Sequence, residues 1–200
     1  QTAAFWFGHL AELVPHHLRA ARAAEMPGDL AEVARSLGGR AMWVSEADVV
    51  PIECIVRGHL AGSVQKKYAR DGAIQGISLP PGIPLGGALP EPIFTPTTKA
   101  ASGHDQPITY AELEAAVGAP LADQLRTLSL KIFELAAAHC DSRGLILCDT
   151  KFEFGHLPSG ELVLIDEVLT PDSSRFFKAA EHQPGGRPVP WDKQLVRDYL

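Results

Sequence analysis

The chain has 200 residues, 46% hydrophobic and 21% charged, with a formal net charge of −6; that length can bury a core in one large domain or two small lobes. No basic patch is visible, against a nucleic-acid binder, and no apolar stretch approaches the roughly 18 residues that a bilayer span requires. Cys54, Cys140 and Cys148 are odd in number and form no C-x-x-C, so we expect neither a disulfide framework nor structural zinc, but reduced, mostly buried thiols in a cytoplasmic protein.

Phe5, Trp6, Leu10 and Leu13 fall at helical spacing before Pro15 and predict a short amphipathic helix over residues 5–13. No basic region, apolar run and cleavage site of a secretory signal precedes it, and such a helix usually follows other structure, so residues are expected upstream of Gln1. His16-His17 stand in a Pro-flanked turn and are expected to be solvated. Residues 17–39 are Ala-rich and broken at Pro27-Gly28. Residues 40–44 and 49–57 read as strands, with Pro51 demanding an edge position or a bulge. Residues 58–63 read as a loop and residues 64–68 as the start of a short helix.

The Gly and Pro density over residues 76–92 predicts loop, or at most irregular edge structure. Thr109-x-x-Glu112 is a capping box opening a helix that Gly118 stops. Pro120 then begins the longest helix, with an apolar stripe of Leu121, Leu125, Leu128, Ile132 and Leu135 and Gly144 just past its end. Residues 145–154 and 161–168 read as two strands around the turn Pro158-Ser159-Gly160. After Thr170 the chain is expected to be irregular, with a last helix over residues 192–200. Pattern alone supports a mixed α/β chain with antiparallel pairs.

In the first of these two strands Asp149, Lys151 and Glu153 share one face, while Cys148, Phe152 and Phe154 share the other. A solvated charged face would explain that, but Asp166 shares a face with Leu162 and Leu164, where a carboxylate is costly to desolvate without a cation or donor. The hairpin brings Glu153 and Asp166 roughly opposite each other. Two carboxylates so placed repel unless a cation lies between them, and Mg²⁺ commonly takes one or two carboxylates plus substrate phosphates. Asp172, Ser174 and Arg175 follow, able to cap the next turn or to floor a pocket for phosphate or sugar hydroxyls.

Glu53 and Arg57 lie on one face of the strand over residues 49–57. Arg57 stands at its end, before Gly62-Ser63, whose backbone N–H groups and hydroxyl suit an anion; a surface Arg beside an ordinary turn is the alternative. Lys99, after a run of threonines, suits a phosphate or plain solvent, and Asp105 follows it. No G-x-x-x-x-G-K-[ST] loop and no G-x-G-x-x-G turn occurs. His59, His104 and His139 stand apart without zinc spacing.

Four segments in order then resemble the SAICAR synthetase family: residues 50–63 (VPIECIVRGHLAGS), residues 91–99 (EPIFTPTTK) with His104-Asp105, residues 146–155 (ILCDTKFEFG), and residues 165–175, from Ile165-Asp166-Glu167 to Pro171-Asp172-Ser173-Ser174-Arg175. The resemblance implies an α+β two-lobe fold related to ATP-grasp, with ATP in the cleft. Residues 1–50 would be the remainder of the N-terminal ATP-binding lobe with its hinge, and residues 51–200 the larger substrate- and Mg-nucleotide-binding lobe. It implies an ATP-dependent ligase of de novo purine biosynthesis, joining L-aspartate to carboxyaminoimidazole ribonucleotide (CAIR) through an acyl phosphate.

The cofactors implied are ATP and Mg²⁺. Glu153 and Asp166 would hold the metal and its nucleotide, Lys99 would approach the ATP phosphates, and Asp48 and Val50 would meet the adenine through their backbone. Arg57, Ser63, Asp172, Ser174 and Arg175 would bind the ribonucleotide, and Asp149, Lys151 and Asp105 would line the reacting centre. Partners would be CAIR, L-aspartate and ATP, without nucleic acid or membrane; a homodimer is admitted. Members of the family open with a Gly-containing, Lys-bearing hairpin over the ATP, which would precede Gln1. The rival readings are a small-molecule kinase-type phosphotransferase and a non-catalytic nucleotide-binding fragment.

Overall fold

The computed structural model describes residues 2–99 and 105–186. In chain order the elements are α1 (Thr2–Leu10), β1 (Leu18–Ala20), α2 (Gly28–Ser36), β2 (Trp43–Val44), β3 (Asp48–Val49), β4 (Ile52–His59), α3 (Val64–Asp71), β5 (Ala73–Ile74), β6 (Ile77–Ser78), β7 (Ala88–Phe94), β8 (Thr97–Thr98), α4 (Tyr110–Val117), α5 (Ala119–Asp141), β9 (Leu145–His156), β10 (Leu162–Ile165) and β11 (Ser174–Lys178). The fold is α+β, with antiparallel pairs and packed helices, as expected. Two compact units are present: Gln1–Val50 with Phe152–Thr170, and Pro51–Lys151 with Pro171–Leu200.

In the first unit α1 buries Ala3, Trp6, Phe7 and Leu10, the spacing of one helical face. Phe7 is wholly buried, which contributes about 2–3 kcal/mol. β10 pairs antiparallel with the C-terminal half of β9, and β3 pairs with the same stretch. On β10, Leu164 exchanges backbone bonds with the segment after α1: His17 N–H donates to Leu164 O at 3.0 Å, and Leu164 N–H to Pro15 O at 2.9 Å. This segment corrects one expectation. His17 is buried, His16 half-buried, and Phe7 packs against both rings at centroid distances of 5.4 and 4.9 Å. The histidines are core residues because the chain there lies along β10 instead of turning into solvent.

In the second unit β4 alternates buried Ile52, Cys54 and Val56 with half-buried Glu53, Ile55 and Arg57, the period-2 pattern of a strand with two different faces. It lies between the N-terminal half of β9 and β7, and also pairs with β8. The helix α5 packs on β4 and β7. Its buried stripe is Ala122, Leu125, Ser129, Ile132, Phe133, Ala136 and Cys140, one position round from the expected leucine stripe. Leu121, Leu128 and Leu135 flank it half-buried, and the small residues on the seam let the helix approach closely. The capping box is present, with Thr109 Oγ1 accepting from Glu112 N–H and the Glu112 side chain accepting from Thr109 N–H.

Four further expectations are revised. The strand expected over residues 49–57 is two strands, β3 and β4, because Pro51 has no N–H to continue a ladder. The stretch over residues 76–92, read as loop or at most irregular edge structure, is sharpened to an edge strand β7 that extends to Phe94, with a register shift against β4; Pro90 and Pro92 are tolerated because β7 lies at the end of the strand order. The strand expected over residues 161–168 ends at Ile165, where Asp166 adopts φ +60°. After Thr170 the chain forms β11, paired with β9 from Ser174↔Thr150 to Lys178↔Leu145. The expected final helix and His104 lie outside the described residues. All three cysteines are buried and free, as expected, and no helix among the described residues is long and apolar enough to cross a membrane.

Candidate active site

In the second unit β4, β9 and β11 place three charged side chains together. Asp149 Oδ2 accepts from Arg57 Nη1 at 3.0 Å and from Arg175 Nη1 at 2.6 Å. Side-chain exposures are 12% for Arg57, 12% for Asp149 and 22% for Arg175, so water screens this group weakly. Burial pushes the Arg57 guanidinium below its ordinary value, opposed by Asp149 and reinforced by neighbouring Arg175. Arg57 Nε also donates to Thr95 Oγ1 at 3.0 Å, which fixes the plane of the guanidinium. Two guanidinium groups on one carboxylate present the planar donor geometry that suits phosphate or carboxylate.

The loop after β4 closes on this group. Gly62 has φ +68°, a conformation that strains other side chains, and a Cβ there would lie 2.9 Å from Arg175 Nη2, so glycine favours the guanidinium's place against the loop. Ser63, next in sequence, is exposed and makes no capping bond to α3. Farther along the same strands, Lys151 Nζ meets Glu53 Oε1 at 3.2 Å, and Thr97 Oγ1 donates to Glu53 Oε2 at 3.1 Å. Ser174 is placed differently from Arg175. It is buried, and its hydroxyl pairs with Thr150 Oγ1 at 2.8 Å, on the face that alternation turns away from Asp149. Asp172 is exposed in the turn before β11.

Lys99 and Asp105 are exposed, each one residue beyond a short backbone ladder in which Thr98 N–H donates to Gln106 O at 2.9 Å. In the first unit Glu153 is 3% exposed, opposite Ile165 in the β9–β10 register. Asp166 is the next residue and is exposed, and its left-handed backbone ends the alternation of β10. Asp48 and Val49 pair with His156 and Gly155, and Val50 N–H donates to Phe154 O at 2.9 Å. Among the described residues no group of three or more His, Cys, Asp or Glu side chains could hold a metal ion by itself. Magnesium commonly takes one or two carboxylates and completes its shell with phosphate oxygens and water.

Glu53, Thr95 and Thr97 were not singled out as site residues. Glu53 shares the period-2 face of Arg57, and that was readable from the alternation of the strand. Its partner Lys151 was not, because strand order is non-local.

The SAICAR synthetase family model matches residues 1–200. A phosphoribosylaminoimidazole-succinocarboxamide synthase of Chromobacterium violaceum is 48% identical over 199 residues, covering 98% of this chain and 69% of the relative. A solved SAICAR synthase of Saccharomyces cerevisiae, complexed with SAICAR, superposes with a TM-score of 0.87 at 35% identity, covering 100% of this chain and 68% of that one. A SAICAR synthetase in complex with ADP superposes with a TM-score of 0.77 at 27% identity, covering 100% and 72%. The chain spans about two thirds of the length of the curated relatives it matches. On these matches, the chain belongs to the SAICAR synthetase family, ATP-dependent ligases of purine biosynthesis.

Proposed function

We propose that this chain joins L-aspartate to CAIR, giving SAICAR, ADP and phosphate. The observation that carries the reading is the Arg57–Asp149–Arg175 group, two weakly exposed guanidinium groups converging on one carboxylate, in a chain matched to the family along its whole length. Both substrates of the coupling step are anionic. A site that binds them needs fixed cations more than a protein nucleophile. Arg57 and Arg175 take the phosphate of the ribonucleotide, with Ser63 and Asp172 toward its sugar, and Ser174 supports the strand that presents Arg175.

Lys151, held by Glu53, and Asp149 line the reacting centre together with Asp105. Lys99 serves the nucleotide phosphates, and the backbone at Asp48 and Val50 serves the adenine. Glu153 and Asp166 hold Mg²⁺, which when bound neutralises the nucleotide phosphates. The substrate carboxylate takes the γ-phosphoryl group, so a C–O–P linkage forms as the β–γ bond of ATP breaks and ADP leaves. The aspartate amine then attacks that acyl carbon, phosphate departs with the oxygen, and the amine loses its proton.

The ADP complex of one structural neighbour supports the nucleotide assignment, and the SAICAR complex of another supports the product. The test is a coupled assay of the purified chain with Mg–ATP. The expected result is ADP release only when CAIR and aspartate are both present, in equal amount to SAICAR. ADP formed with CAIR alone, with a stable phosphorylated product, would support the kinase reading; nucleotide binding without turnover would support the fragment reading.

A further inference from the structure

We propose that Gln75 is a positioning residue that ties together the two chain arms carrying Lys99 and Asp105, and so sets nucleotide affinity; the second half rests on the roles given to those residues above. β5 and β6 form a tight hairpin, pairing Ala73↔Ser78 and Ile74↔Ile77, with Gln75-Gly76 at its corner. Both corner residues are left-handed, at φ +48° and +85°. Such a corner favours Asn, Asp or Gly at its first position, and a longer side chain there costs about 1 kcal/mol. A glutamine is therefore an unfavourable choice for the turn itself, and its contacts lie elsewhere.

The Gln75 side chain runs inward, and the residue is only 9% exposed. Nε2 donates to Pro96 O at 2.7 Å and also to Ile108 O. Both amide hydrogens are thus used on backbone carbonyls of two separate arms. The arms already meet: Ile108 N–H donates to Pro96 O at 3.1 Å, Thr97 bridges Pro107, and Gln106 N–H donates to Thr98 Oγ1 at 3.0 Å. Lys99 N–H donates to Pro51 O at 2.9 Å, which fixes the outer end of the first arm. Lys99 and Asp105 project from the ends of a ladder whose base is closed by one side-chain amide. Asparagine would suit the corner better but is one methylene too short to reach either carbonyl, and glutamate reaches them but has no N–H to donate.

The test compares Gln75→Asn and Gln75→Glu with the unaltered chain, by amide hydrogen exchange and by calorimetric titration with Mg–ADP and with SAICAR. In both variants the Thr98 and Ile108 amides are expected to exchange about tenfold faster, the factor that one lost hydrogen bond gives. The Gly72 and Leu79 amides, which bond within α3 and the hairpin, should keep their rates. Mg–ADP affinity should fall about tenfold on the same hydrogen-bond scale, and SAICAR affinity should fall by less, since Asp105 alone of the two arm residues is placed toward the reacting centre. An Asn variant with unaltered exchange and affinity overturns the proposal, since a turn-only role predicts that result. Faster exchange at Thr98 and Ile108 with unchanged Mg–ADP affinity overturns the link to the nucleotide. Failure of the unaltered chain to bind Mg–ADP would instead refute the nucleotide assignment, with the exchange rates still deciding whether Gln75 is a clamp.

Discussion

Asp149 takes two guanidinium groups on one oxygen atom, so its replacement strips the shared counter-charge from two weakly solvated cations. Asp149→Asn keeps the volume but leaves Arg57 and Arg175 repelling each other. Breaking a buried pair this way costs about 3 kcal/mol, and urea unfolding of the variant should show a loss of that order with an unchanged m-value. A loss within about 0.5 kcal/mol, the range of ordinary surface substitutions, would mean that the group is effectively solvated. A second residue-scale effect comes from histidines. Burial pushes His16, His17 and His59 below the ordinary imidazole value, and neighbouring His182 adds to the effect at His59. Because the folded-state values lie below the unfolded ones, the unfolded chain binds more protons once the pH falls below about 6.5. These groups leave stability intact above that pH and remove it progressively down to their depressed folded values. The urea midpoint should therefore fall between about pH 7.5 and pH 5.5, and a flat or rising midpoint would show that they protonate freely in the folded chain.

At the scale of elements, the turn from β4 into α3 decides whether Arg175 can sit where it does. Gly62→Ala forces a Cβ to within 2.9 Å of the guanidinium at a φ of +68°, a backbone conformation that costs an L side chain about 1–2 kcal/mol. The variant should lose roughly tenfold in SAICAR affinity by calorimetry, with Mg–ADP affinity retained. Equal loss of both would mean global damage. Local chemistry of this kind is what a sequence displays most openly. The Thr109–Glu112 capping box and the Gly118 stop were readable because every partner lies within one helical turn. β7 was readable only as irregular edge structure at most, because its prolines argue locally against a strand and only its end position beside β4 permits one. β11 was hidden in the same way, since Ser174–Lys178 has its partners in β9. His16 and His17 looked solvated for want of any local sign that Phe7 and Leu164 would enclose them. In the candidate site, types and alternation on one strand were legible, whereas pairings across strands, Lys151 with Glu53 and Arg57 with Asp149, needed the strand order.

For the whole molecule, the two compact units carry different subsets of the proposed ligand residues. The metal carboxylates Glu153 and Asp166, with the backbone at Asp48 and Val50, belong to the first unit. Arg57, Ser63, Asp149, Asp172 and Arg175 belong to the second. Substitutions that act on different ligands give additive effects, while residues sharing one ligand do not. Asp166→Asn removes a charge from the metal pair and should weaken Mg–ADP by about tenfold or more, as expected for the loss of one charged ligand interaction worth about 1.5–3 kcal/mol. It should leave SAICAR binding nearly intact when titrated without nucleotide. Arg175→Ala should do the reverse, and in the double variant the two losses should add to within about 0.5 kcal/mol. Titration of the four proteins with each ligand alone measures all of these terms. If either single substitution weakens both ligands equally, Asp166 and Arg175 act on a common element, and the assignment of Asp166 to the nucleotide and Arg175 to the ribonucleotide is wrong.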